Sequence, residues 1–197
     1  MHNTRYQVLK RKPIAKMTLP VEGRDHIQGP LTASIQLMIY GDYACAGCAA
    51  IHAVIRELRA RLTSNICYAF RHFPARCQAR PHHAAEMAEA AAAQGRFWEM
   101  HDLLLQSRGA LSDDDLARYA RLLGLNTALA MREVFNGVHV SRIQQDFLAA
   151  RTMNVTASPA VFVNGQGCDG LIGLSALMEE AVRCRTIAPA FSSEGML

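Results

Sequence analysis

The segment Gly41-Asp42-Tyr43-Ala44-Cys45-Ala46-Gly47-Cys48-Ala49-Ala50 sets two cysteines three positions apart. It follows Ile35-Gln36-Leu37-Met38-Ile39-Tyr40, a short apolar run that reads as a buried strand closed by Gly41 and Asp42. After it, Ile51, Val54, Ile55, Leu58 and Leu62 recur at helical spacing, with His52, Arg56, Glu57, Arg59 and Arg61 mostly between them. That pattern predicts an amphipathic helix over residues 46–62. A second strand is predicted at Ile66-Cys67-Tyr68-Ala69-Phe70-Arg71, stopping at Phe73-Pro74. Strand, long helix and strand in this order predict a right-handed parallel βαβ unit. The cysteine pair then falls where the first strand hands over to the helix. Its spacing serves a disulfide that opens and closes, half of a zinc site, or haem attachment. Haem is excluded, because Ala49 stands where attachment needs a histidine.

Outward from this unit, residues 1–34 are broken by Pro13, Pro20, Gly23, Gly29 and Pro30 and read as an irregular lead-in. Residues 77–153 read as helices only. The Ala-rich run His82 to Gln94 stops at Gly95, and a helix follows from Phe97 to Gln106. Ser112 with Asp115 forms a capping box that opens a helix to Leu123. Two more helices are expected, Thr127 to Asn136 and Val138 to Met153. Strand signals return at Ala160-Val161-Phe162-Val163 after Ser158-Pro159, and Asn164-Gly165 supplies a tight turn. Ser175 to Arg183 closes as a helix. The expected division is an α/β part, residues 35–76 and 154–186, interrupted by an all-helical insertion at 77–153.

Of the 197 residues half are hydrophobic and 19% charged, the balance of a globular chain and not of a disordered one. No apolar run approaches the roughly 20 residues that span a bilayer, so no integral membrane segment is expected. The N-terminus has basic residues without the apolar stretch of a secretory signal. The cytoplasm is the expected compartment, or the periplasm if the N-terminus is processed. The net charge of +4 resides in residues 1–34, and the remainder is balanced, so nucleic-acid binding is not expected. Six cysteines are too sparse for a disulfide scaffold. Cys67, Cys77, Cys168 and Cys184 are scattered and read as independent thiols.

The order βαβ, helical block, ββα resembles the DsbA-like thiol oxidoreductases, a thioredoxin-like α/β fold with an inserted helical domain. The residues that carry the resemblance are Tyr40-Gly41-Asp42-Tyr43, Arg71-His72-Phe73-Pro74, AAAAQGRFWEMHDLL at 90–104 and VTASPAVFVNG at 155–165. It covers about residues 22–184. The resemblance implies disulfide exchange through Cys45 and Cys48, with no organic cofactor and no metal. It implies a cis bond at Ser158-Pro159 lying against the cysteine pair, with the Ser158 backbone pairing to an extended substrate. The implied partners are protein or small-molecule thiols and disulfides, and a redox partner protein or glutathione. The chain departs from the family in having Ala46 and Gly47 between the cysteines, Ala44 before them, and Ile39 where relatives often bury an acid.

Disulfide exchange needs a thiolate, and the unpaired N–H groups of a helix N-terminus stabilise one at Cys45. Cys48, on the same helix face, is then the resolving thiol. Because Ala46 and Gly47 add no cation, Cys45 is expected to be less acidic than in the strongest oxidants, and the pair a milder oxidant. A second reading takes Cys45, Cys48 and His52 as metal ligands with Cys67 or Cys77 as a fourth. A third, a glutathione-dependent transferase or isomerase on the same fold, is opposed by the intact pair. His52 is otherwise expected to face solvent or to relay a proton. Arg71 and His72 are expected either to approach the site or to lie at the surface at the strand end, His82 and His83 to make surface or capping contacts, and Trp98 to sit in the core.

Overall fold

The computed structural model describes residues 25–74, 79–107 and 109–168. Five strands form one sheet: β1 (His26–Gln28), β2 (Ile35–Gly41), β3 (Ile66–His72), β4 (Ala160–Val163) and β5 (Gln166–Cys168), in the spatial order β1-β3-β2-β4-β5. β2 and β3 are parallel, and every other pairing is antiparallel. Among the described residues six α-helices accompany them: α1 (Ala46–Leu62), α2 (Ala79–Ala93), α3 (Phe97–Gln106), α4 (Asp113–Leu122), α5 (Thr127–Phe135) and α6 (Val140–Thr152). The fold is thioredoxin-like, with α2 to α6 entering between β3 and β4. The closing helix expected at 175–183 lies outside the described residues.

β2 and β3 are buried on both faces, which is why their sequences run apolar without alternation. Ile35, Leu37, Ile39, Tyr68 and Phe70 join a core shared with α1 to α5. Met38, Tyr40, Ala69 and Phe162 point the other way, where Phe147 and Ala150 of α6 cover them. Each chain reversal has a local cause. Ser112 accepts from the Asp115 backbone N–H while the Asp115 carboxylate accepts from Ser112, so α4 starts on a full capping box. Asn164 (φ 48°) and Gly165 (φ 78°) both take the left-handed conformation that a two-residue hairpin turn requires. The Asn164 side chain accepts from Gln36 N–H at 2.8 Å and fastens that turn to the start of β2.

The lead-in is not irregular throughout. Residues 26–28 form β1, pairing His26 with Phe70 and Gln28 with Tyr68. Arg71 fixes that strand by a bidentate bond, Nε to Asp25 Oδ1 at 2.8 Å and Nη2 to Asp25 Oδ2 at 2.7 Å, and its Nη1 donates to Tyr40 Oη at 2.8 Å. Arg71 and His72 are therefore buried, not surface residues at a strand end. Trp98 is half-buried and packs against the core through Tyr68 and Phe97. His83 keeps a surface setting, its Nδ1 2.8 Å from Asp113.

Candidate active site

β2 delivers the chain to Gly41, and Asp42 turns it into α1. The Asp42 carbonyl accepts from Cys45 N–H at 3.1 Å, and its carboxylate accepts from Ala44 N–H at 2.9 Å. Cys45 thereby becomes the N-cap of α1, with extended φ −86° and ψ 116°. Its carbonyl takes the first helical bonds, from Cys48 N–H at 3.0 Å and Ala49 N–H at 3.2 Å. Cys45 is half-buried, whereas Cys48 is buried with its Sγ accepting from Asp42 N–H at 3.4 Å. Neither sulfur is in a disulfide.

Across the sheet, Ser158-Pro159 has a cis peptide bond. The Cys45 thiol reaches the Ser158 carbonyl oxygen at 3.5 Å. The Pro159 ring lies against the first turn of α1. A Cβ on Gly47 would stand 3.1 Å from Pro159 Cδ, closer than side chains ordinarily approach. The sequence-predicted quartet Cys45, Cys48, Ser158 and Pro159 is thus brought to one place.

The two thiols are driven apart in acidity. A hydrogen bond from Cys48 is the largest influence on Cys45, lowering its pKa to about 6 against the opposing effect of partial burial. The backbone N–H groups of Cys48 and Gly47 and the Ser158 side chain add to it. Cys48 moves far upward, first because its proton is held by Cys45 and then because it is buried. The helix N-terminus contributes as sequence reasoning supposes, but the partner thiol contributes more.

Beneath the pair lies an aromatic and histidine layer that sequence reasoning does not single out. His101 of α3 is fully buried, with Nδ1 3.1 Å from Tyr43 Oη and Nε2 3.2 Å from Tyr68 Oη. Burial holds its pKa well below the ordinary value, so the ring is neutral, donating to one tyrosine and accepting from the other. Its sequence signals are its place in the apolar periodicity of α3 and in the 90–104 stretch that carries the resemblance.

His52 does not face solvent. It is buried under α3, its Nε2 3.1 Å from Asp102 Oδ1 and its ring edge-on to His101 at 5.1 Å, and neither ring nitrogen has hydrogen-bond geometry to a partner. Reading His52 as exposed fails because α3, distant in sequence, packs over the face that looked polar. Two clusters of described residues gather three metal-ligating atoms within 4.8 Å: His26, His72 and Glu89, and His52, His101 and Asp102. Neither includes a cysteine, so the grouping of Cys45, Cys48 and His52 as ligands does not form. Cys67 is buried in β3 and Cys168 is buried at the end of β5, while Cys77 and Cys184 lie outside the described residues.

The family described as Thioredoxin matches residues 22–180. Among curated proteins, the Na+/H+ antiporter NhaA 3 of Salinispora tropica is 39% identical over 167 residues, 83% of this chain. An antiporter NhaA of Nitrosospira multiformis is 34% identical over 157 residues, 79% of this chain. The chain spans about a quarter of the length of these relatives. No described helix is long and apolar enough to cross a membrane. Among solved structures, a thioredoxin-like oxidoreductase from Silicibacter pomeroyi superposes with a TM-score of 0.72 at 23% identity, covering 85% of this chain and 96% of that one. BdbD from Bacillus subtilis gives 0.73 at 15% identity, covering 81% and 94%. The thiol-disulfide exchange protein alpha-DsbA2 from Wolbachia pipientis gives 0.70 at 20% identity, covering 83% and 89%. With the family model matched over residues 22–180, most of the chain, the chain belongs to the thioredoxin family.

Proposed function

We propose that the chain is a thiol-disulfide oxidoreductase acting through Cys45 and Cys48. One observation carries the reading: the more exposed sulfur caps a helix, has its pKa lowered to about 6, and lies beside the Ser158 carbonyl, with a buried second thiol behind it. At neutral pH Cys45 is a thiolate without any external base.

The Cys45 thiolate attacks one sulfur of a substrate disulfide, forming a mixed disulfide and releasing the other sulfur as a thiolate. Cys48 then loses its proton and attacks Cys45 Sγ, which breaks the mixed bond and frees the second substrate thiol. The substrate gains two electrons and the pair loses them, and the reverse sequence oxidises a dithiol. The Ser158 backbone receives an extended substrate segment beside the attacked sulfur. The chemistry needs no organic cofactor. Substrates are protein or small-molecule thiols and disulfides, and glutathione or a redox protein resets the pair. His52, the relay candidate, lies one helical turn beyond Cys48 and is buried, as is Asp42, whose backbone N–H donates to the Cys48 sulfur. Transport belongs to the far longer relatives by name, and the redox assignment concerns the stretch matched here.

The test is a glutathione redox titration read by alkylation and mass spectrometry. Cys45 and Cys48 convert together in a two-electron transition. Thioredoxin combines a thiol pKa of about 7 with a potential near −270 mV, and DsbA a pKa of about 3.5 with one near −120 mV. With Cys45 at a pKa of about 6, this midpoint is expected to fall between them. Independent conversion of the two cysteines, or none, overturns the assignment.

A further inference from the structure

His26 of β1, His72 at the last position of β3 and Glu89 of α2 meet beside Phe97. His26 Nε2 lies 2.9 Å and His72 Nε2 2.8 Å from the same oxygen, Glu89 Oε1. All three ligand atoms fall within 4.8 Å of one another. One bond from Glu89 would be enough to fasten either histidine. Two imidazoles converging on a single carboxylate oxygen make a three-point donor set, drawn from three elements.

The donors are held before anything binds. The His26 ring stacks on Phe97 with centroids 3.4 Å apart and planes 8° from parallel. The His72 ring is wedged edge-on between Phe70 and Phe97, at 5.5 and 6.2 Å. His72 and Glu89 are buried, while the His26 side chain is 16% exposed and supplies a route in. Tetrahedral coordination at about 2.0–2.1 Å spaces its ligand atoms about 3.3 Å apart, so the two contacts need to open by only about half an ångström.

We propose that His26, His72 and Glu89 bind one divalent transition-metal ion of the zinc class, with a fourth position open beside His26. Two imidazoles and one carboxylate suit zinc, cobalt, nickel or copper, whereas magnesium and calcium take oxygen ligands. Three protein ligands with one open position is the pattern of an accessible site and not of a closed structural one. Binding ties the edge strand β1 to β3 and α2. It also adds a positive charge behind the turn that carries Cys45, since His72 pairs with Gly41 in the sheet and its ring lies 5.9 Å from that of Tyr43. The second histidine cluster does not qualify, because both nitrogens of His101 are already engaged by tyrosine hydroxyls.

The test is a cobalt(II) titration of the full chain after treatment with a chelator, followed by zinc competition. Wild type binds one cobalt per chain with visible d–d bands and no sulfur-to-cobalt charge-transfer band. The double variant Cys45→Ser, Cys48→Ser keeps that spectrum. Affinity falls at least tenfold in His26→Ala and is lost in Glu89→Gln. Should Glu89→Gln fail to fold by circular dichroism, His26→Ala decides, since its side chain is partly exposed on a three-residue edge strand. No cobalt bound by wild type, a charge-transfer band that disappears with the cysteines, or unchanged affinity in His26→Ala overturns the proposal. A charge-transfer band lost with the cysteines would also favour the metal reading of Cys45 and Cys48, whereas the other two outcomes leave the redox assignment, which rests on the thiol titration, untouched.

Discussion

The Cys45 sulfur lies 3.5 Å from the carbonyl oxygen of Ser158, a residue 113 positions away in sequence. The attacking atom and the backbone edge beside it come from opposite ends of the fold and are set by the central strands. Cys45 caps the helix after β2, and Ser158 immediately precedes β4, which pairs antiparallel with β2.

The rate of Cys45 alkylation should follow a single titration with a midpoint of about 6, rising as pH increases through it and level above. Cys48 should stay unmodified in the native protein over this range. Cys48→Ala removes the hydrogen bond that lowers Cys45 most, so the midpoint should climb toward the ordinary thiol value of about 8.5. A midpoint that stays put in the variant refutes the thiol–thiol account. Stopped-flow or mass-spectrometric alkylation reads both.

Gly47→Ala should separate stability from activity. Alanine gains up to about 1 kcal/mol of helix propensity over glycine, but its Cβ would sit 3.1 Å from Pro159 Cδ and 3.6 Å from Cys45 Sγ. The ring is rigid and cannot fold away as a flexible side chain would. The urea midpoint should change little, while exchange with a protein disulfide slows about tenfold or more. Equal rates in the two proteins would show that Pro159 yields freely.

His101→Leu should cost more than its volume change suggests. It deprives the buried hydroxyls of Tyr43 and Tyr68 of their shared partner. Each buried polar group left unsatisfied costs about 1–3 kcal/mol, so equilibrium unfolding should show a loss of about 2–6 kcal/mol. The replacement is apolar and fits the surrounding core, and a loss below 1 kcal/mol would mean that the hydroxyls find water or other acceptors.

Asp25→Ala should destabilise by up to about 3–5 kcal/mol, because it removes the carboxylate that holds the buried Arg71 guanidinium by two bonds. The double variant Asp25→Ala, Arg71→Met should recover part of the loss, since the buried charge goes with its partner. Chemical denaturation of the three variants closes the cycle.

Much of the scaffold around the cysteines can be read directly from the chain. The periodicity of Ile51, Ile55 and Leu62 marks α1, whose observed limits are Ala46–Leu62, and the Asn164-Gly165 pair marks the last turn. These features are local, decided by spacing and by φ. What escapes the sequence depends on coverage by remote elements. β1 is three residues long and has no period to detect, yet it covers the polar end of β3 and takes Arg71 and His72 out of water. His52 looks polar among arginines on α1, and only the packing of α3 makes it a core residue. The same remote packing gathers His26, His72 and Glu89, which stand far apart in the chain and share no motif.

The position of the helices between β3 and β4 also sets an order of assembly. The βαβ unit that carries Cys45 and Cys48 closes through short-range contacts, whereas β4 reaches β2 only after about 120 residues of intervening chain have been spanned. As the chain is made from its N-terminus, both thiols and their helix cap exist well before Ser158 emerges. The nascent protein thus passes through a stage in which a reactive dithiol stands without the edge proposed to select its partners. Selectivity is acquired last, when the final strands seat against the sheet.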